Sequence, residues 1–142
     1  MKTIIAAIDF SNATKPVVGA AAALARATGA RIVLVHVIQP AVITSEYSPV
    51  LGDLAVASEN SAVGKLAEWK AGLTTDGLNV ETSKLCGQPD ACIREEAERL
   101  AADYIVIGSH GHGAVYNLVV GSAAGALLKR APCPVLVVPA GR

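Results

Sequence analysis

Short runs made up almost entirely of apolar residues restrict the fold of this chain more than any other feature. They lie at residues 3–8, Arg31–Ile38, residues 104–107 and Val135–Val138. Continuous apolar character over the length of a strand is typical of strands buried on both faces, as in a parallel sheet. We therefore predict that these four runs are strands of one parallel sheet.

Segments with helical spacing separate the strands. Helices are predicted at Thr14–Thr28, 53–73, after the turn at 87–90 and at Ser122–Arg130, while 79–85 alternates as an edge strand does. Residues 41–52 are predicted to be a loop, because Pro49 and Gly52 interrupt the helical pattern. Parallel strands joined by helices need right-handed crossovers. The prediction is one α/β domain, residues 1–142, with an open parallel five-stranded sheet and helices on both faces.

Charge and composition exclude several classes of partner. The 142 residues carry 12 Lys plus Arg and 12 Asp plus Glu, with no basic stripe, so we expect no nucleic acid partner. No apolar run approaches the ~18 residues of a membrane span, and the first residues do not resemble a signal peptide. The three cysteines are odd in number and form no metal-like cluster. We expect a cytoplasmic protein with no membrane partner and no metal-ligating side chains.

A glycine-rich segment is the strongest functional feature. The run Gly108-Ser-His-Gly111-His-Gly113 follows a predicted strand, and Gly121-Ser122 precedes the last helix. Glycines allow the backbone to approach a ligand closely, and a helix N-terminus attracts anions. Ligands of open α/β sheets bind beyond the carboxyl ends of strands, where Asp9, Val37 and Gly108 also lie. The segment predicts a phosphate site, with a purely structural loop as the alternative. Asp9 could also simply cap the first helix.

These motifs together resemble the universal stress protein family over essentially the whole chain. Gly108-x-x-Gly111, nine residues and then Gly121-Ser122 match the G-x-x-G-(x9)-G-S/T pattern of its nucleotide-binding branch. Further matching pieces are the strand end before Asp9, the Gly87-Gln-Pro89 turn and the closing Pro-Cys-Pro-Val-Leu-Val-Val segment. The resemblance implies a Rossmann-like sheet with strand order 3-2-1-4-5. It also implies a homodimer in which Val135, Leu136, Val137 and Val138 pair with their counterparts.

The resemblance also implies that the chain binds ATP, with Mg²⁺ as the accompanying cation. Adenine would be recognised by the backbone of Val37, and Asp9 would lie near the ribose and phosphates. The phosphates would be held by Gly108, Gly111, Gly121 and Ser122. The complete set of implied binding residues is Ala7, Ile8, Asp9, Val37, Ile107, Gly108, His110, Gly111, Gly121, Ser122 and Ala123. Relatives often have a hydroxyl residue where this chain has Ala124, so the resemblance implies the loss of at most one phosphate contact here.

Three kinds of function remain open from the sequence. The first is an ATP-binding regulatory protein of the stress response, whose nucleotide state is read by an unidentified partner protein. The second is an enzyme, but the glycine segment contains no Lys or Arg and the chain has no G-x-x-x-x-G-K-S/T motif. We therefore name no catalytic residue and expect at most slow ATP hydrolysis or phosphotransfer. The third is a dimeric interaction protein without nucleotide. Cyclic AMP or another adenine nucleotide is an alternative ligand.

Overall fold

Five strands and four helices alternate along the part of the chain that the structure describes. The computed structural model describes residues 1–39, 48–109 and 122–139, with the side chains of 48–58 and 122–123 outside that description. The elements are β1 (Thr3–Ala7), α1 (Thr14–Thr28), β2 (Arg31–Ile38), α2 (Ser48–Thr75), β3 (Val80–Cys86), α3 (Pro89–Arg99), β4 (Tyr104–Gly108), α4 (Ser122–Arg130) and β5 (Val135–Val138). The alternation predicted from the sequence is therefore confirmed.

The strands form one parallel sheet in the order β3-β2-β1-β4-β5. β1 lies at the centre, where it pairs with β2 from Thr3↔Arg31 to Ala7↔Val35 and with β4 from Ile4↔Tyr104 to Ala6↔Val106. The chain order reverses direction between β1 and β4, which makes their boundary the switch point of the sheet. Both the parallel sheet and its strand order agree with the expectation from the sequence.

Two hydrophobic layers hold the helices against opposite faces of the sheet. Alternate strand residues such as Ile4 and Leu34, both 0% exposed, pack in the layer that contains α1 and α2 residues. Their neighbours Ile5 and Ile105, also 0% exposed, pack against α3 and α4. Burying one such side chain contributes about 1.5–3 kcal/mol, so strands apolar on both faces are needed to fill both layers. Helices on both faces were predicted, and this is confirmed.

The second helix begins earlier than the sequence suggested. α2 starts at Ser48, so the predicted loop is wrong over residues 48–52, and residues 40–47 lie outside the described part of the chain. Pro49 falls in the first turn, where a backbone N–H is not needed, and Gly52 costs only about 1 kcal/mol in a helix. Although α2 has 28 residues, no helix among the described residues is long and apolar enough to cross a bilayer.

A buried carboxylate joins α3 to the edge strand β3. Glu96 is 4% exposed and accepts hydrogen bonds from the Ser83 hydroxyl and from Arg99 Nε. The bond from Arg99 lowers the pKa of Glu96 most strongly, the bond from Ser83 adds to this, and burial opposes both. A charged Glu96 therefore stabilises the folded chain, because only the folded state provides these donors.

Replacing Glu96 by Gln should remove a pH-dependent part of the stability. Since folding lowers the pKa, the stabilisation is present above the ordinary Glu value of about 4.3 and is lost as the pH falls below it. The difference in unfolding free energy between wild type and Glu96→Gln should therefore shrink between about pH 5 and pH 3. Urea unfolding across this range measures it. The exposed Glu98→Gln on the same helix is the control, and an equal trend in both variants would contradict the assignment.

Candidate functional site

The sheet divides at its carboxyl edge between β1 and β4. Their ladder ends at Ala6↔Val106, yet both strands continue. The end of β1 stays with β2, because Ile8 N–H donates to the Val35 carbonyl at 2.8 Å. The end of β4 stays with β5 through Gly108↔Val138. The two strands therefore part at the switch point, where an open α/β sheet binds ligands.

The chain leaves β1 through a turn fixed by a carboxylate. Asp9 Oδ1 accepts the Ser11 backbone N–H at 3.0 Å and the Ser11 hydroxyl at 2.5 Å. The Ser11 Oγ in turn accepts the backbone N–H of Ala13, at 3.2 Å, just before α1. Asp9 is thus held beside the opening in the sheet through a local turn, and the N-cap residue of α1 is Ala13, which has no side-chain acceptor.

An aromatic cluster supports this turn from the α2 side. Phe10 adopts a φ of 62°, a left-handed conformation that costs a non-glycine residue about 1–2 kcal/mol. Its ring lies 4.4 Å from the ring of His36, measured between centroids, and Lys65 Nζ of α2 lies 5.2 Å from its centre. His36 Nδ1 donates to the Ile8 carbonyl at 2.8 Å. Strained backbone that surrounding contacts maintain is common at functional sites.

The structure brings together six of the residues predicted to bind a ligand. Ala7 is the last residue of β1, and Ile8 and Asp9 follow it. Val37 is the second-last residue of β2, and β4 ends with Ile107 and Gly108. Since all strands are parallel, these residues share the carboxyl edge of the sheet. Ser122 and Ala123 begin α4, but their side chains are outside the described part. His110, Gly111 and Gly121 also lie outside the described residues.

Sequence reasoning missed the aromatic cluster as a support of the site. No role was predicted for Phe10, His36 or Lys65 from the sequence. The sequence contained one indication of a polar contact at this place. His36 lies two residues before the end of an otherwise apolar strand, and a buried ring nitrogen needs a polar partner. The positive φ of Phe10 could not be predicted from the sequence, because the residue usually found in that conformation is glycine.

The carboxyl ends of β1, β2 and β4 offer groups of the kind that can bind a ligand. This edge of the sheet offers backbone groups at the strand ends, a carboxylate held by a hydroxyl, and the start of α4, whose N-terminus carries partial positive charge. Within the described ranges, no group of three or more His, Cys, Asp or Glu side chains could hold a metal ion.

Comparison with known proteins finds relatives that align with nearly the whole chain. The sequence profile of the universal stress protein family matches residues 1–139. Universal stress protein A homolog 1 of Coxiella burnetii (strain RSA 493 / Nine Mile phase I) is 36% identical over 140 residues, which cover 96% of this chain and 95% of that protein.

Solved structures are similar in fold. Universal stress protein UspA from Lactobacillus plantarum matches with a TM-score of 0.88 and 26% identity, over 96% of this chain and 97% of that chain. The universal stress protein from Archaeoglobus fulgidus in complex with dAMP matches with a TM-score of 0.67, over 97% of each chain, and its 23% identity indicates a shared fold.

Replacing His36 by Ala should destabilise the protein through the turn after β1. The change leaves the Ile8 carbonyl without its donor and removes the ring beside Phe10, which together should cost about 1–3 kcal/mol. Lys65→Ala is the matched comparison, because an exposed cation over a ring contributes only about 0.5–1 kcal/mol. Urea unfolding at constant pH measures both. A loss from His36→Ala no larger than that from Lys65→Ala would show that the hydrogen bond does not support the turn.

Proposed function

Because the chain belongs to the universal stress protein family, we propose that it binds ATP where β1 and β4 part and acts as a nucleotide-dependent regulatory protein. The observation that carries the proposal is the division of the sheet after Ala6↔Val106. It opens the carboxyl edge at the switch point, with Asp9 on one side and Gly108 on the other. A phosphate-bearing ligand is the kind of molecule that such an edge accommodates.

The register of β2 supports recognition of adenine by the Val37 backbone. Arg31 N–H donates to the Lys2 carbonyl and the Val35 carbonyl accepts from Ile8, so odd-numbered residues of β2 direct their backbone groups toward β1. Val37 also directs its backbone groups toward the β1 side. Because β1 ends at Ala7, which pairs with Val35, no residue of β1 pairs with Val37. The Val37 side chain meanwhile packs in the α3 and α4 layer. The backbone N–H and carbonyl of Val37 are thus directed toward the space beyond the end of β1. An adenine ring bound there would form hydrogen bonds with both groups.

The phosphates would extend from this point toward β4 and α4. Gly108 has no side chain to obstruct them, and the N-terminus of α4 favours negative charge. The family pattern assigns the same role to Gly111, Gly121 and Ser122. Mg²⁺ bound with the nucleotide would neutralise phosphate charge, and the Asp9 carboxylate is an oxygen ligand of the kind that this ion prefers. His110 and Ala123 complete the proposed binding set.

The identity of the nucleotide rests on the phosphate-binding motif. Universal stress proteins of the same fold have been solved in complex with cAMP and with dAMP. Both share less than 25% identity with this chain, so they guide the choice of ligands to be tested. Recognition of adenine by backbone does not depend on the number of phosphates, whereas the glycine segment followed by a helix N-terminus favours a polyphosphate.

A homodimer through β5 is part of the same proposal. β5 is an edge strand, and Leu136 on it is 43% exposed. An exposed apolar edge strand is a ready template for pairing with another chain. Pairing through Val135–Val138 would place the nucleotide site, which adjoins β5 through Gly108↔Val138, near the dimer boundary. A partner protein could then read the nucleotide state from this surface.

The first experiment is to identify what the purified protein carries. Denaturing protein prepared without added nucleotide and analysing the released small molecules by chromatography and mass should yield ATP. Calorimetric titration of emptied protein should give tighter binding of ATP with Mg²⁺ than of ADP or cyclic AMP. Rapid loss of bound ATP to ADP during incubation would instead favour the enzyme alternative. An empty protein that binds none of the three would favour an interaction protein without nucleotide.

Gly121→Val should abolish nucleotide binding while the protein stays folded. A valine side chain would block the approach of phosphate to the backbone, and Ser122→Glu should act in the same way by placing a negative charge beside it. Calorimetry with ATP measures the loss, and circular dichroism monitors the fold. Gly125→Ala in α4 is the matched control, because an added Cβ there meets no atom within 4 Å. Unchanged affinity in both site variants would place the nucleotide elsewhere.

Leu136→Lys should convert the dimer to monomer. A lysine on an edge strand places charge where the second strand would pair, which disfavours association. Sedimentation equilibrium measures the mass. Val63→Lys on α2 is the control, because Val63 is similarly exposed, at 51%, but lies away from β5. A monomeric wild type, or dissociation by both variants alike, would contradict pairing through β5.

A further inference from the structure

The hydrogen-bond ladder between β1 and β2 stops one step before Val37. Ala7 pairs with Val35, and the Ile8 N–H donates to the Val35 carbonyl at 2.8 Å. In a parallel ladder the next bonds would run from the Val37 N–H to the Ile8 carbonyl and from the Phe10 N–H to the Val37 carbonyl. Neither bond is formed within the described part of the chain. Val37 therefore has no backbone partner on the β1 side.

Two residues that contact each other account for the missing bonds. His36 Nδ1 donates to the Ile8 carbonyl at 2.8 Å, so a side-chain donor takes the place that the Val37 N–H would have in a longer ladder. Phe10 has a φ of 62°, which lies far from the extended conformation that a ladder requires. The centroids of the His36 and Phe10 rings are 4.4 Å apart. This ring pair thus releases both backbone groups of Val37.

The neighbouring strand β3 does not use these groups. The Ile32 N–H donates to the Asn79 carbonyl at 2.9 Å. At the other end of β2, the Ile38 carbonyl accepts the Gly87 N–H at 3.0 Å. Even-numbered residues of β2 therefore direct their backbone groups toward β3, and Val37, as an odd-numbered residue, does not.

We infer that His36 is a positioning residue of the nucleotide site, because its bond to the Ile8 carbonyl keeps the Val37 N–H available for an acceptor on adenine. The adenine ring carries an acceptor, N1, beside a donor, the 6-amino group, which match the N–H and the carbonyl of one residue. His36 acts through Ile8 and needs no contact with the ligand. The ligand in this inference rests on the proposed function, whereas the free Val37 N–H is a property of the protein alone.

Loss of the imidazole donor should close the ladder over the site. The Ile8 carbonyl belongs to a buried residue, and a buried carbonyl without a donor is unfavourable. By the register of the two strands, the Val37 N–H is the donor that would replace His36. An adenine ring would then have to break this bond before it could bind, which should weaken binding about two- to tenfold.

Amide hydrogen exchange of the nucleotide-free protein, measured by nuclear magnetic resonance, tests the state of the Val37 N–H. In the wild type it should exchange faster than the Ile105 N–H, which donates to the Pro134 carbonyl at 3.0 Å. His36→Phe keeps a ring beside Phe10 but has no donor, so exchange at Val37 should become slower. A purely structural role of His36 predicts the opposite, since a loosened turn exchanges faster.

His36→Asn is the matched control. Its side-chain amide places an N–H as far from Cβ as imidazole Nδ1, so it should restore fast exchange at Val37 even though the ring is lost. Circular dichroism of each variant establishes that the fold is retained, and the Ile105 amide reports general changes in stability within the same spectra.

Titration with ATP and with the analogue that has a CH group in place of adenine N1 tests the consequence for binding. Wild type and His36→Asn should bind ATP about two- to tenfold more tightly than the analogue, and His36→Phe should bind both equally. Exchange at wild-type Val37 as slow as at Ile105, faster exchange in His36→Phe, or an undiminished preference for ATP in His36→Phe would each overturn the inference. A wild type that binds neither nucleotide would contradict the proposed function, and the exchange rates would still decide whether His36 frees the Val37 N–H.

Discussion

The backbone pairing of β1 with β2 on one side and β4 on the other is the constraint on which the rest of the structure depends. A strand with parallel neighbours on both sides has its polar groups satisfied and must bury both faces, which is why its side chains Ile4 and Ile5 enter opposite hydrophobic layers. The same pairing creates the candidate site, because β1 follows β2 at its end while β4 follows β5. The core and the opening are thus consequences of one hydrogen-bond pattern.

The end of β1 shows how the protein maintains an unfavourable local conformation. The left-handed Phe10 is costly alone, but its ring contacts His36, and the His36 ring also satisfies the Ile8 carbonyl just before it. A carbonyl that would otherwise continue the ladder is bonded to a side chain of β2. The turn can therefore leave the sheet early and present Asp9 at the opening, and the contacts on either side of Phe10 offset its strain.

The hydrophobic pattern was sufficient to predict the five strands and the alternation of helices. Four strands are buried on two faces and leave a continuous apolar run, whereas the edge strand β3 alternates between apolar and polar residues. The strand order came from the resemblance to a family. The start of α2 was mispredicted because Pro49 and Gly52 were interpreted as helix breakers. Proline is tolerated in the first turn of a helix, and Pro49 lies in the first turn of α2. The hydrogen bond between His36 and Ile8 joins residues 28 positions apart and follows from the register of two strands, which local sequence does not reveal.

The two edges of the sheet differ in a way that bears on assembly. On β3, Glu81 pairs with Arg31 at 3.2 Å and Lys84 pairs with Glu59 of α2 at 3.5 Å, so charged side chains occupy that edge. Charges on an edge strand discourage pairing with another chain, whereas the exposed Leu136 on β5 does not. Surface ion pairs contribute little to stability. In the proposed homodimer, the charges on β3 would disfavour pairing at that edge, so that two copies would meet through β5.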